Sequence, residues 1–189
     1  VSSEFAIRLG RVIEGSQSPE EMIAAFADYR LVLNGLKHGT VTVLLEGMPL
    51  EITTYRVDGA YSDARHPDGV TFADNLRADA ARRDFTINAM AYNEERGLVD
   101  EFDGVGDLKR GIIRCVGEAR ERFQEDALRM LRAVRFAAQL GFVLDEQTKQ
   151  AICELRENLR KVSAERIQTE LVKLLVSPHP ERLLEAWET

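Results

Sequence analysis

The chain has 189 residues, 44% of them hydrophobic and 30% charged, with a formal net charge of −7. That balance suits a globular fold with one sizeable core or two small domains, and it argues against a surface that wraps nucleic acid with its whole area. No apolar run approaches the roughly 20 residues that cross a bilayer, and no basic stretch with an apolar core opens the sequence. Neither a membrane span nor a signal peptide is expected, and the expected compartment is the cytoplasm. Cys115 and Cys153 lack CxxC spacing and a nearby histidine, so they read as reduced thiols.

In chain order, residues 3–14 read as a short helix with Phe5, Leu9, Val12 and Ile13 on one side. Ser18-Pro19-Glu20-Glu21 carries a helix start: a capping serine, proline at the first helical position and a glutamate that completes a capping box. That helix is expected to run to about Asp28. The β-branched runs Thr40–Leu45 and Leu50–Tyr55, separated by a turn at Glu46–Pro49, predict a hairpin. Residues 57–71, rich in Gly, Asp, Ser and Pro, predict a surface loop. A helical stretch is expected over 73–92, then two short strands at Val99–Phe102 and Ile112–Val116 flanking the turn-rich DGVGDLKRG. From Glu118 onward the pattern is all helix: one ending near Gly141, one over Asp145–Leu159, one from Ser163 and one after Pro180. The predicted class is α+β, a mixed α/β head over 1–117 followed by an all-helical neck over 118–189.

The arginines are concentrated between residues 109 and 135. On the predicted helix through Glu125–Phe136, Arg129, Arg132 and Arg135 fall within an arc of roughly 120° at about 100° per residue. Like charges at that spacing repel unless an anion such as a triphosphate compensates them. Asp126 lies one turn before Arg129, which on an ordinary helix is a solvated ion pair. A carboxylate beside a guanidinium also has a second use. Cytosine and adenine each present an amino donor beside a ring-nitrogen acceptor, whereas uracil and guanine present the reverse. An Asp–Arg pair matches the first pattern and leaves both of its members unpaired against the second.

Arg83-Asp84 within RRDFTINA can either bind a phosphate and a ribose hydroxyl or simply cap a helix. Glu51 is expected on the same strand face as Thr53 and Tyr55, either facing solvent or aimed at a divalent metal. His38 and His66 have no cluster of metal ligands around them in sequence, so no zinc site is expected.

These motifs stand in the order found in the bacterial-type CCA-adding enzymes and the related poly(A) polymerases. The chain resembles that family through HGTVTV (38–43), EITTYRVDGAYSDARHPDGVTF (51–72), RRDFTINAMAY (82–92), DEFDGVGDL (100–108), RFQEDALRMLRAVRF (122–136) and SAERIQTEL (163–171). The resemblance implies a polymerase β-like nucleotidyltransferase head and a helical neck. It also implies addition of C and A from CTP and ATP to the tRNA 3′ end without a nucleic-acid template, with Mg²⁺ as cofactor.

Carried over by position, Arg83 contacts the incoming nucleotide and Asp84 its ribose. Asp126 and Arg129 read the base edge, Arg132 and Arg135 hold the triphosphate, and Glu51 is the third acidic position, a catalytic carboxylate at the metal. The loop at 57–71 matches one that helps switch from C to A addition, and DEFDGVGDL matches the hinge between head and neck.

One departure stands out. The family carries a Gly-Gly-x-x-Arg-Asp loop and then an Asp-x-Asp strand where Val12-Ile13-Glu14-Gly15 here runs into Ser16-Gln17-Ser18-Pro19. An omitted segment at 15/16 is the expectation, and the 189 residues as they stand are expected to catalyse little. The C-terminal body and tail of the family have no counterpart in the sequence to Thr189. Within the enzyme class the alternatives are addition of A only, addition of CC only, or poly(A) synthesis. Outside it stands a non-catalytic nucleotide- or RNA-binding module. The sequence does not fix the oligomeric state.

Overall fold

The computed structural model describes residues 18–36, 39–59, 70–72 and 75–185. The predicted helix at 3–14, the join at 15/16, His38 and most of the predicted loop, with His66, lie outside them. The chain divides into two compact units, one built from Val1–Gly59 and Gly69–Asp79, the other from Ala60–Asp68 and Ala80–Thr189.

In the first unit, α1 (Pro19–Ala25) begins as expected: the Ser18 hydroxyl accepts from the Glu21 amide while the Glu21 carboxylate accepts from the Ser18 amide. The helix packs Met22, followed by Phe26, against an antiparallel sheet of β1 (Arg30–Val32), β2 (Thr40–Leu45) and β3 (Met48–Thr53), in the order β1-β2-β3. Strict alternation buries Val41, Val43 and Leu45. The hairpin is tighter than predicted. Glu46 and Gly47 both take positive φ, 51° and 84°, so two residues close it. Met48 and Pro49 therefore join β3, an edge strand where a missing amide proton is tolerated. β4 (Arg56–Asp58) and β5 (Val70–Phe72) pair antiparallel at the two ends of the predicted loop.

Helix α2 (Leu76–Ala81) leads into the second unit and is far shorter than the predicted 73–92 helix. Phe85 is extended instead (φ −126°, ψ 151°). The Thr86 amide donates to the Arg114 carbonyl (3.0 Å), the Val116 amide donates to the Asp84 carbonyl (3.1 Å), and Phe85 bridges Cys115. A 3₁₀ turn (Thr86–Asn88) and the hairpin β6 (Met90–Asn93) and β7 (Gly97–Asp100) follow.

The expected turn at 103–111 is a helix, α3 (Gly104–Arg110). Its first amides are held by the Asp100 carboxylate, which accepts from Gly104 (2.7 Å) and Val105 (2.9 Å). A Cβ on Gly104 would lie 2.4 Å from the Thr86 carbonyl oxygen, so only glycine allows that approach.

The short β8 (Ile112–Ile113) pairs in parallel with β9 (Val143–Leu144). Around them pack α4 (Ala119–Glu125), α5 (Leu128–Leu140), α6 (Glu146–Leu155) with a 3₁₀ extension (Arg156–Lys161), α7 (Ala164–Leu175) and α8 (Arg182–Glu185). Helix α5 is the axis of this core, burying Met130, Leu131, Ala133, Val134, Ala137 and Ala138.

Asp107 locks α3 to the extended segment. It is almost fully buried and accepts from the Thr86 hydroxyl (2.6 Å), Arg114 Nε (2.8 Å) and Arg110 Nη2 (2.7 Å). Burial pushes its carboxyl up, but these donors outweigh that and hold it below the ordinary 3.8. A carboxyl depressed in the folded state stabilises above its unfolded value, and that contribution fades as pH falls below about 4 through the folded value. Urea unfolding at pH 6 and pH 3 should show Asp107→Asn less stable than wild type by about 1–3 kcal/mol at pH 6. The gap between the two proteins should narrow at pH 3.

Candidate functional site

The predicted continuous helix through 125–136 is interrupted. Helix α4 stops at Glu125, Asp126 turns extended (φ −144°, ψ 105°), and α5 restarts at Leu128. The Asp126 carboxylate stabilises that break. Its Oδ1 accepts the Leu128 amide (3.0 Å) and its Oδ2 accepts Nη2 of Arg166 from α7 (2.7 Å). The expected pairing of Asp126 with Arg129 is thus replaced. Arg129 pairs with Glu125 and also donates to the carbonyls of Arg122 and Arg82 (3.3 Å each). The reason is local: the Arg129 amide still donates to the Asp126 carbonyl (3.0 Å), but the extended Asp126 turns its carboxylate to the Leu128 amide and Arg166 instead.

The extended segment before the 3₁₀ turn supplies the opposite wall. Asp84 accepts from its neighbour's amide, Phe85 N (2.9 Å), and from Asn88 Nδ2 (3.0 Å) on Oδ1. On Oδ2 it accepts both Nε (2.8 Å) and Nη2 (2.6 Å) of Arg132. Arg83 Nη1 donates to the Asn88 carbonyl (2.9 Å).

Together Arg82, Arg83, Asp84, Asn88, Asp126, Leu128, Arg129, Arg132 and Arg166 line an open cleft of about 380 Å³, within the range of small-molecule sites. Five guanidiniums against two carboxylates make it a receptor for an anion, and the two aspartates add acceptors for hydroxyl or amino groups.

Of the sequence-predicted residues, Arg83, Asp84, Asp126, Arg129 and Arg132 meet here. Arg135 does not, which corrects the expectation that all three helix arginines face one anion. It is buried, its Nε donates to Glu170 of α7, its Nη1 donates to Gln139 (2.6 Å), and its guanidinium lies 3.9 Å from the centre of the Phe136 ring.

Glu51 belongs to the other unit, exposed on β3 opposite Thr42. No group of three or more Asp, Glu, His or Cys side chains suited to a metal occurs among the described residues, so they do not by themselves form a magnesium site. Arg166 and Asn88 were not singled out from sequence, although each sits within a motif that carries the family resemblance, SAERIQTEL and RRDFTINAMAY.

Cutting the buried Arg135–Glu170 pair from one side should be costly. Glu170→Ala is expected to lose about 3–5 kcal/mol in chemical denaturation, because it leaves a guanidinium buried without its counter-charge.

The fold is α+β, and the cleft is one that an anionic ligand bearing hydrogen-bonding groups would fit. The sequence matches the family described as poly A polymerase head domain over residues 12–114 and the one described as probable RNA and SrmB-binding site of polymerase A over 141–189. The chain belongs to the poly A polymerase head domain family.

It is 54% identical over 162 residues to the CCA-adding enzyme of Lactobacillus delbrueckii subsp. bulgaricus, covering 86% of this chain and 40% of that protein. Its structure is similar to the Bacillus stearothermophilus CCA-adding enzyme in complex with CTP, with a TM-score of 0.80 and 43% identity over 90% of this chain and 40% of that one. It is also similar to the Thermotoga maritima CCA-adding enzyme complexed with tRNA, with a TM-score of 0.66 and 30% identity over 89% of this chain and 38% of that one. The chain spans about 40% of the length of these relatives.

Proposed function

We propose that the protein adds C and A from CTP and ATP to tRNA 3′ ends, with no nucleic-acid template. The tRNA 3′-hydroxyl attacks the nucleotide α-phosphate and pyrophosphate leaves. The observation that carries this reading is the cleft itself: a carboxylate and a guanidinium flanking a helix break, beside further arginines, in a fold like that of an enzyme solved with CTP. The relative solved with tRNA supports the RNA partner.

In this reading Asp126 accepts from the amino group of cytosine or adenine and Arg129 donates to the adjacent ring nitrogen. Arg132 and Arg83 meet the triphosphate, and Asp84 meets the ribose hydroxyls. Arg135 is assigned to support of α5 rather than to ligand.

The cofactor of the family reaction is proposed to be Mg²⁺. Glu51 would contribute one carboxylate, and since the described residues do not complete a site, the remaining ligands are not assigned. The head is assigned to 1–117 and the neck to 118–189, and the compartment to the cytoplasm. No helix among the described residues is long and apolar enough to cross a membrane.

In the full-length protein, Asp126→Ala and Arg129→Ala should each lower the preference for CTP and ATP over UTP and GTP by tenfold or more, the equivalent of about 1–3 kcal/mol per mismatched group. Single-nucleotide addition to tRNA lacking its 3′ end measures it. Unchanged preference in both variants would remove these residues from base selection.

A further inference from the structure

Asp84 has its acceptor positions filled. A carboxylate offers about four lone-pair sites, two per oxygen. Four donors meet this one: the Phe85 amide and Asn88 Nδ2 on Oδ1, and Nε and Nη2 of Arg132 on Oδ2. Asn88, beside it, is the opposite case. Its amide turns the NH₂ group to Asp84, because a carboxylate only accepts, and that aims its own Oδ1 elsewhere. Arg83 reaches Asn88 through the backbone carbonyl and leaves the side-chain oxygen untouched. Among the described residues no donor meets Asn88 Oδ1, and this half-buried residue lines the cleft.

We infer that Asn88 is a sugar-specificity residue: its Oδ1 accepts a hydroxyl of the incoming nucleotide's ribose, at a point where the adjacent carboxylate is already filled. This deepens the proposed reading of the cleft as the nucleotide site and rests on it.

The two acceptors are not rivals, since a ribose brings two free hydroxyls. Asp84 takes a hydroxyl only by giving up one of its donors. Arg132 is the one that can leave, because an arriving triphosphate offers its guanidinium another anion. Asn88 Oδ1 accepts without breaking any bond. It is also held in place beforehand. The Asn88 amide donates to the Phe85 carbonyl (2.9 Å), its own carbonyl accepts from Arg83 (2.9 Å), and its Nδ2 is tied to Asp84 (3.0 Å). An acceptor fixed on three sides loses little freedom when a ligand hydroxyl arrives. The simplest other role for Asn88 is a clamp that only orients Asp84. A clamp acts through Asp84 and has no effect once that carboxylate is gone, whereas a direct acceptor keeps its effect.

The test measures kcat/KM for CTP, 2′-deoxy-CTP and 3′-deoxy-CTP in single-nucleotide addition to a truncated tRNA. It compares full-length wild type, Asn88→Ala, Asp84→Ala, the double variant and Asp126→Ala. Asn88→Ala should lower the preference for CTP over at least one deoxy analogue by on the order of fivefold. The same substitution should lower it by a similar factor in the Asp84→Ala background.

Wild-type preference for CTP over both deoxy analogues in Asn88→Ala would overturn the inference. An effect that vanishes in the Asp84→Ala background would also overturn it, by reducing Asn88 to a clamp. Where a variant fails to fold by circular dichroism, Asn88→Ser or Asp84→Asn replaces it and the same outcomes decide. Asp126→Ala separates the two levels through its preference for CTP over UTP. If that preference falls while Asn88→Ala leaves sugar preference intact, only this inference fails. If it stays at the wild-type value, the nucleotide reading of the cleft fails and this inference with it.

Discussion

Five guanidiniums crowd one cleft, and the structure tolerates them only because carboxylates from separate segments are interleaved among them. Asp84 ties the extended segment before the 3₁₀ turn to Arg132 of α5. Glu125 at the end of α4 holds Arg129, and Asp126 at the helix break holds Arg166 of α7. Each pair joins two different segments of the chain. The same logic runs deeper at Arg135 and Glu170, where a paired charge is buried between α5 and α7. The cleft is therefore held together by pairings that an incoming anion would compete with.

Positioning begins further back, at Asp107. By gathering Thr86, Arg110 and Arg114 it anchors the chain just after Asp84, and the backbone pairing of 84–86 with 114–116 fixes the direction in which Arg83 and Asp84 leave it. Gly104 allows α3 to approach the Thr86 carbonyl that closely. The role of the DGVGDLKRG stretch is thus mechanical: a helix with a buried acid that supports the wall of the cleft.

Local chemistry was legible in the sequence where it was self-contained. The capping box at Ser18 and Glu21 and the alternation of Val41, Val43 and Leu45 needed no distant partner. The helix at 104–110 was hidden because Gly104 and Gly106 are poor helix formers. It forms because Asp100 holds its first amides and Gly111 ends it in the left-handed region. The strand at 90–93 was mistaken for helix although Asn93 closes the following turn by accepting the Arg96 amide (2.7 Å), an Asx signal that sits in plain sequence.

Periodicity of 3.6 brought out Arg129 and Arg132, and it also set the limit at Arg135. A face roughly 120° wide reaches from the cleft around to the α5–α7 interface, where Glu170 receives the third arginine. The break at Asp126 could not be read from propensity, since its long-range partner Arg166 lies on another helix.

In the proposed function, base selection depends on what Asp126 and Arg129 face when the cleft is filled. A structure of the full-length protein with CTP should place an Asp126 carboxylate oxygen and an Arg129 nitrogen within about 2.7–3.2 Å of the cytosine amino group and ring nitrogen. Finding the base elsewhere, with both side chains still turned to Arg166 and Glu125 alone, would contradict it.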